Sequence, residues 1–288
     1  MQSRLRAYYR LAKPGIIYGN SIHVVAGSLL AYQVGLRSST FVGVLIGVAF
    51  VIASACVVNN IIDRNIDAHM RRTKTRAMAT KTVSIMHAII FAVILAAIGF
   101  AVLYVTTNVL TIILGVIAYI WYVAIYGYAK RTTWLSTIIG TVPGALPIAA
   151  GYTAFTNSFD ASAWWLFIML VLWQVPHFYA IAVMRKDEYA EAGLPIITDK
   201  WPVAVVRSHI IVTSWMYLAS VLYLGLITRT LHPAAMILLS LTILYWIWFM
   251  TIRFYDLDER KWAKKTFLLS LLMPFALLVA AGITVVLR

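Results

Sequence analysis

The chain has 288 residues, of which 62% are hydrophobic and only 12% are charged. This composition excludes an ordinary soluble domain, in which roughly a quarter of the residues are charged. A net charge of +14 would suggest nucleic-acid binding in a soluble protein. In so apolar a chain we attribute it to membrane topology and expect no nucleic-acid partner. The single cysteine, Cys56, excludes an internal disulfide and a cysteine-based metal site.

Nine uncharged stretches are long enough to cross a lipid bilayer, whose hydrocarbon core needs about 20 apolar residues. They predict an all-α fold, a polytopic bundle of nine transmembrane helices around a central cavity. We treat residues 1–288 as a single domain. The predicted spans are 15–33, 41–62, 85–105, 109–128, 135–155, 163–183, 209–227, 233–251 and 267–287.

The basic residues are distributed unevenly between the two sides of this bundle. One side carries 21 lysines and arginines, whereas the other carries only Arg37, Arg229 and Arg288. The positive-inside rule therefore predicts a cytoplasmic N-terminus. Nine of the ten acidic residues also lie on the basic side, mostly in the long loops after the second and sixth spans. We expect the functional site to face the cytoplasm.

A weak internal repeat relates the two halves of the chain. Pro14-Gly15 in the first span matches Pro143-Gly144 in the fifth, and the loop with Asp63 matches the loop with Asp187. Helices 1–4 and 5–8 would then form two halves, followed by helix 9, with both polar loops around one cavity. Chance similarity between apolar helices is the alternative.

The most informative segment is NNIIDRNIDAHMRRTKTR, residues 59–76. If the second helix continues past Ile62, then Asn59, Asn60, Asp63 and Asp67 share one face, since they are three or four residues apart. Carboxylate and amide oxygens are hard ligands that suit Mg²⁺. The alternative is a solvated loop whose aspartates balance nearby arginines. The position at the mouth of a span favours a site where a lipid-soluble substrate meets water.

Four basic residues follow in the same loop. Arg72 and Arg76 repeat the four-residue spacing, and a guanidinium binds phosphate or carboxylate oxygens in bidentate fashion. We interpret Arg71 and Lys74 as positive-inside residues without a further role. Mg²⁺ ligands beside guanidinium groups are what a diphosphate requires.

The end of the sixth span carries a second polar group. His177 follows Pro176 within an apolar helix, where its ring must be hydrogen-bonded or face a cavity. A structural, hydrogen-bonded histidine is the alternative. The following loop contains Asp187 and Glu191, which are four apart and could share a face, while Glu188 would point elsewhere.

The first span contributes three polar side chains, Lys13, Asn20 and His23. Asn20 and His23 are three residues apart and could line the same cavity. Interhelical hydrogen bonding explains them equally well.

Taken together, these motifs resemble the UbiA superfamily of intramembrane prenyltransferases. Its first aspartate-rich motif, N-D-x-x-D-x-x-x-D, matches residues 59–67 with Asn60 in place of an aspartate. Within the superfamily, the chain is similar to the heme O synthases, also called protoheme IX farnesyltransferases. This narrower similarity rests on N-N-x-x-D-x-x-x-D, on R-T-K-x-R at 72–76, on A-K-P-G-I-I-x-G-N at 12–20, on W-Q-x-P-H-x-Y-A-I-A at 173–182 and on Glu188-Tyr189.

The resemblance implies transfer of a farnesyl group from farnesyl diphosphate to the 2-vinyl group of heme B. Water then adds, and heme O forms for a terminal oxidase. It implies Mg²⁺ held by Asp63, Asp67 and Asn60, with Arg72 and Arg76 binding the diphosphate or the heme propionates. These five residues are the predicted catalytic set.

The resemblance also implies substrate-binding residues. His177 would contact heme at its iron or through a hydrogen bond. Superfamily members often carry D-x-x-x-D after helix 6, and here Asp187 and Glu188 are candidates for a second Mg²⁺ or for orienting Lys186. Glu191 occupies the last position of that motif. The full predicted substrate-binding set is Lys13, Asn20, Asn59, His177, Lys186, Asp187, Glu188 and Glu191, with Asp187 also a predicted metal ligand.

The family implies a multi-pass protein of the bacterial inner membrane, with terminal oxidase subunits or assembly factors as candidate partners. Three alternatives remain open. A UbiA-type enzyme acting on a quinone precursor predicts the full N-D-x-x-D motif. A secondary transporter predicts charges within its spans, and a non-catalytic heme chaperone needs no diphosphate site.

Overall fold

The computed structural model describes residues 2–287, with side chains from residue 5 onward, so Arg288 of the charge count lies outside the described residues. The described residues form helices joined by loops, with no strand among them. A 3₁₀ turn follows α2 at Tyr32–Val34. The α-helices are α1 (Gln2–Leu11), α2 (Pro14–Leu30), α3 (Ser38–His69), α4 (Ile85–Thr106), α5 (Val109–Ile120), α6 (Gly127–Thr132), α7 (Ser136–Thr156), α8 (Ala161–Met184), α9 (Lys186–Glu191), α10 (Ile197–Lys200), α11 (Val203–Leu226), α12 (Pro233–Ile252), α13 (Glu259–Ser270) and α14 (Leu272–Val286).

The predicted all-α, polytopic architecture is confirmed. Among the described residues, eight helical segments are long and apolar enough to cross a membrane, and they match the second to ninth predicted spans. The first predicted span corresponds to α2, which has only 17 residues. The count of nine spans, the internal repeat and the cytoplasmic N-terminus stay predictions.

The helices enclose a central cavity. In the second half of the chain α8 packs against α7, α11 and α13, and these helices share the largest hydrophobic core. In the first half α3 packs along α4. The two halves meet where α2 lies against α7, and α14 covers another side of α2. Helices α2, α3, α7, α8 and α13 therefore surround a common space.

The α3 helix is longer than the uncharged stretch that predicts it. The apolar run ends at Ile62, yet the helix continues to His69. The extension is possible because the carboxylates of Asp63 and Asp67, although buried, are both paired with basic side chains. The predicted continuation past Ile62 is thus confirmed.

The span Val109–Thr132 is interrupted by a π-helical turn at Trp121–Tyr126. Such turns insert an extra residue into an α-helix and often occur at functional sites. Here Tyr122 and Tyr126 both line the cavity, and their rings stack with centroids 5.6 Å apart. The π turn therefore contributes an aromatic wall.

Close approach between α2 and α7 depends on two glycines. A Cβ at Gly27 would collide with the carbonyl of Ile148, and a Cβ at Gly151 would collide with the carbonyl of Val24. Small residues let transmembrane helices approach closely, which strengthens van der Waals packing in the absence of a hydrophobic driving force.

We expect Gly151→Ala to destabilise the folded protein by about 1–3 kcal/mol, because the added methyl group must separate two backbones. Thermal unfolding in detergent measures this as a lower melting temperature. Gly282→Ala is the matched control, since Gly282 also lies in an apolar helix and an added Cβ there meets nothing within 4 Å. Equal shifts in both variants would contradict the close-approach argument.

Candidate active site

The central cavity has a volume of about 600 Å³ and is lined by residues of α2, α3, the π turn, α7, α8 and α13. One end is strongly polar, and we call the side chains there the charged rim. The deeper walls are mainly aromatic and aliphatic. The charged rim consists of Lys13, Asp63, Asp67, Arg72, Arg76, Lys130 and Arg185.

Asp63 lies at the centre of the charged rim, and only 4% of it is exposed. Its carboxylate forms ion pairs with the ammonium of Lys130 and, at 2.7 Å, with the guanidinium of Arg131. Both cations come from α6, which follows the π turn. A buried carboxylate needs such partners, because removal from water is costly for an isolated charge.

Asp67 is equally buried and lies one helical turn further along α3. The guanidinium of Arg76 donates to both of its carboxylate oxygens, at 2.8 and 2.9 Å. The hydroxyl of Thr73 donates to the backbone carbonyl of Asp67 at 3.0 Å, which helps to fold the loop back over the helix end. With Arg72, which also belongs to the charged rim, the structure thus brings together four of the five predicted catalytic residues, Asp63, Asp67, Arg72 and Arg76.

Lys13 and Asn59 form a further polar contact in the cavity. The ammonium of Lys13 donates to the side-chain oxygen of Asn59 at 2.6 Å. Lys13 precedes a proline and has φ of +52°, a left-handed conformation that is strained for a residue with a side chain. Desolvation lowers the pKa of the Lys13 ammonium from its ordinary value to about 8. Both predicted substrate-binding residues therefore lie in the cavity.

The structure places Asn60 away from the central cavity, which corrects its predicted grouping with Asp63 and Asp67. Its amide donates to the carbonyls of Leu11 and Cys56, at 2.8 and 3.0 Å. It lines a separate basic pocket against α1. The physical reason is that Asn60 joins α3 to the end of α1, and Asn59 is the amide that faces the cavity.

The second acidic motif is not assembled in the cavity, and this corrects the prediction that Asp187 is a metal ligand there. Asp187 and Lys186 are exposed. Glu191 forms an exposed ion pair with Arg71 at 3.1 Å. These side chains lie on the exposed surface of the short helix α9 and do not line the cavity. Charged side chains prefer such exposed positions unless a partner compensates their burial.

Glu188 connects the two polar loops. It accepts a hydrogen bond from the backbone N–H of Arg72 at 3.1 Å and another from the guanidinium of Arg185 at 3.1 Å. Partial desolvation acts to raise the pKa of Glu188, but the two hydrogen bonds and the charges of Arg72 and Arg185 outweigh it and lower the pKa. Glu188 therefore holds the Arg72 backbone beside the charged rim.

The deeper part of the cavity contains a histidine with a defined tautomer. The hydroxyl of Ser270 donates to the carbonyl of Phe267 at 2.6 Å, so its oxygen is left to accept from Nδ1–H of His177 at 2.7 Å. Nε2 of His177 therefore carries a lone pair. The ring stacks on Trp173, whose indole N–H donates to the carbonyl of Ser270. Both predicted readings of His177 apply, because it is hydrogen-bonded and also lines the cavity.

Asn20 and His23 both line the cavity, as the three-residue spacing suggests. The amide of Asn20 donates to the carbonyl of Ile16 in its own helix at 2.8 Å, so it forms no interhelical bond through this group. The ring of His23 meets Trp173 edge-on at a centroid distance of 5.4 Å.

Several residues in or beside the cavity receive no functional role from the sequence alone. Lys130 and Arg131 count there only as topological charges, and the tyrosines of the π turn carry no assignment. A usable signal exists, since Lys130 and Arg131 are the only charged residues between the fourth and fifth predicted spans. A pair of bases directly at the end of an apolar helix can therefore mark a functional site, as a pair of acids does.

The donor set at the rim fits a magnesium ion that is completed by a ligand. Among residues 2–287 there is no group of three or more acidic, histidine or cysteine side chains that could enclose a metal. Mg²⁺, however, is commonly bound through one or two carboxylates together with substrate phosphates and water. Asp63 and Asp67 supply two such carboxylates on one face of α3.

Comparison with known proteins gives the family of the chain. The model of the UbiA prenyltransferase family matches residues 21–272. The chain is 36% identical over 277 residues to protoheme IX farnesyltransferase 2 of Pseudomonas fluorescens, covering 95% of this chain and 92% of the relative. It is 39% identical over 274 residues to protoheme IX farnesyltransferase of Acinetobacter baylyi, covering 93% and 92%.

Solved structures share the fold at much lower identity. A chain from a study of digeranylgeranylglyceryl phosphate synthase superimposes with a TM-score of 0.78 at 17% identity, covering 97% of this chain and 99% of that one. A UbiA homologue from Archaeoglobus fulgidus bound to GPP and Mg²⁺ gives a TM-score of 0.69 at 14% identity, covering 96% and 99%. With its family match and its relatives, this chain belongs to the UbiA prenyltransferase family.

Proposed function

We propose that the protein transfers a farnesyl group from farnesyl diphosphate to a vinyl group of heme B, with addition of water, to form heme O. The observation that carries this proposal is the arrangement of the cavity, in which two buried carboxylates and several cations stand at the mouth of an aromatic, apolar chamber. The names of the relatives with 36% and 39% identity supply the substrates.

Mg²⁺ is the metal that we propose for the reaction, held by Asp63 and Asp67. The UbiA homologue that was solved with GPP and Mg²⁺ supports this choice. The chemistry that Mg²⁺ supplies when bound is neutralisation of the diphosphate leaving group. In the described structure Lys130, Arg131 and Arg76 already pair with these carboxylates. Substrate binding then requires an exchange in which the cations turn from carboxylate to phosphate oxygens.

The charged rim would hold the diphosphate as the allylic C–O bond breaks. The cations available there are Lys13, Arg72, Arg76, Lys130 and Arg185. The allylic carbon then bonds to the vinyl carbon of heme, and the resulting cation beside the porphyrin accepts water and releases a proton. Aromatic side chains of the deeper wall shield the cationic stages from premature attack by water. Arg72 and Arg76 are also candidates for binding the heme propionates.

His177 would bind the porphyrin through Nε2, either at the iron or by a hydrogen bond. Its orientation is set by the Ser270 contact to Nδ1, in the way that outer partners usually orient metal-binding imidazoles. This role explains why a polar ring lies within an apolar helix.

The decisive experiment incubates the purified protein with heme B, farnesyl diphosphate and Mg²⁺ and follows the product by mass spectrometry. We expect heme O, and no product when any component is omitted or when EDTA is added. Unmodified heme on a folded, heme-binding protein would refute the proposal and favour a chaperone. Transfer to a quinone precursor but not to heme would favour the other UbiA-type activity.

The pKa of Lys13 leads to a pH prediction. Its charge is lost as pH rises through about 8, so we expect the KM for farnesyl diphosphate to rise between pH 7 and pH 9. Because the folded pKa lies below the ordinary value, deprotonation of Lys13 favours the folded state, and unfolding is not the cause. Lys13→Arg should flatten this profile, and Lys13→Met should give a high KM at every pH. A profile that Lys13→Arg leaves unchanged would contradict the assignment.

We further propose that the charged rim faces the bacterial cytoplasm. In a Cys56→Ser background, a membrane-impermeant maleimide added to intact spheroplasts should label Ser158→Cys, which lies in an exposed loop at the opposite end. Lys74→Cys, in the loop beside the rim, should be labelled only after permeabilisation. The reverse pattern would refute this orientation.

A further inference from the structure

His23 is a buried polar side chain without a hydrogen-bond partner. It lies on α2, only 4% of the residue is exposed, and neither ring nitrogen has a partner in the described part of the chain. Buried polar groups in native proteins are nearly always satisfied, so each exception requires an explanation. Because His23 lines the central cavity, the missing partner can come from a bound molecule.

The side chains around His23 indicate which class of molecule would bind there. Its ring meets the indole of Trp173, and the stacked ring on the same indole is that of His177. The two imidazoles are therefore neighbours across one tryptophan, on helices from different halves of the bundle. Paired imidazoles beside an aromatic wall suit the iron of a flat porphyrin, because neutral imidazole is a common iron ligand.

The two histidines also lie at similar distances from the charged rim. His23 is nine residues from the rim end of α2 at Pro14, and His177 is seven residues from the rim end of α8 at Met184. At 1.5 Å per helical residue, these separations are about 13 Å and about 10 Å. Both imidazoles thus lie at a similar depth below the charged rim, where a porphyrin would place its iron while its propionates reach the rim cations.

We propose that His23 is a second iron ligand of the bound heme, acting together with His177. This inference rests on the proposed function, since it takes heme as the substrate. The two side chains differ in how firmly hydrogen bonds fix their orientation. His177 is held by Ser270 with Nε2 free, whereas His23 has no hydrogen-bond partner among the described residues and can turn to offer either nitrogen. Two protein ligands would fix the porphyrin in the cavity and present one vinyl group to the allylic carbon.

The test uses the full-length protein with ferric heme B, followed by absorption and electron paramagnetic resonance spectroscopy. We expect a six-coordinate, low-spin spectrum for the wild type and a five-coordinate, high-spin spectrum for His23→Ala. Added imidazole should restore the low-spin form in that variant. His23→Met should keep the heme iron six-coordinate, because the methionine sulfur can replace the imidazole as a ligand. This variant provides the test if His23→Ala folds poorly.

Metal-free protoporphyrin IX separates coordination from packing. We expect His23→Ala to weaken heme binding by about tenfold or more, a scale known for perturbed metal sites, and to leave protoporphyrin binding unchanged. Equal weakening of both ligands, or a low-spin spectrum in His23→Ala without added imidazole, would overturn the inference while the farnesyl transfer assay stands. Failure of the wild type to bind heme would overturn the proposed function as well.

Discussion

Replacing Asp63 with asparagine is expected to lower farnesyl transfer at least about a hundredfold, the scale of losing a group that stabilises charge in the transition state. Asp63 is one of two buried carboxylates in the cavity and the shared partner of Lys130 and Arg131. Its loss removes a proposed Mg²⁺ ligand and leaves two cations without their counter-ion. The measurement is kcat for heme O formation in detergent, with the melting temperature recorded alongside.

Asp256→Asn is the matched control for this variant. Asp256 also pairs with an arginine, Arg253 at 3.2 Å, but that pair is exposed and neither residue lines the cavity. Exposed ion pairs contribute little, so activity should stay within about twofold of the wild type. Heme binding should persist in Asp63→Asn, because we assign the Asp63 carboxylate to the Mg²⁺ that binds the diphosphate and not to the heme. Full activity in Asp63→Asn would exclude the proposed metal site.

Lys130→Met is expected to lower kcat/KM for farnesyl diphosphate by about ten- to a hundredfold, since a charge-assisted contact to phosphate is lost. Lys130 lies at the end of a membrane span, where positive charge could serve topology alone. The structure instead directs it to Asp63 within the cavity. Initial rates measured at several concentrations of farnesyl diphosphate separate the effect on KM from the effect on kcat.

Lys74→Met provides the comparison that tests the topological interpretation. Lys74 lies in the loop beside the rim, is exposed, and does not line the cavity. Both variants remove one positive charge from the same side of the bundle, so equal effects would show that Lys130 acts only through topology. A double-mutant cycle with Asp63→Asn should be non-additive, because the two side chains are in contact.

Much of the fold follows from local properties of the chain. Long uncharged runs must be helical in a bilayer, because every backbone polar group has to be satisfied within the segment. The eight long spans were therefore predictable, with boundaries that differ from the structure by at most eight residues. Where the prediction and the structure differ, as at the end of α3, the cause is tertiary. Charged residues end an apolar run in the sequence, but ion pairs with residues of α6 and of the loop after α3 allow the α3 helix to continue.

The candidate site was predictable in part, and for a similar reason. The spacing of Asp63 and Asp67 along a helix placed both carboxylates on one face, and that spacing is a local property. The assignment of Asn60 required knowledge of α1, whose terminal carbonyl takes its amide. Asp187 required knowledge of how the second loop folds, and that loop leaves it exposed.

The sequence by itself determined that this is an all-α membrane protein, and its motifs indicated the prenyltransferase family and the two aspartates. Only the tertiary structure decided which side chains meet in the cavity. Lys130 and Arg131 are almost seventy residues from Asp63 along the chain, and His23 and Trp173 come from opposite halves of the bundle. Ion pairing and ring packing over such separations depend on how the helices assemble, and one-dimensional periodicity carries no information about that assembly.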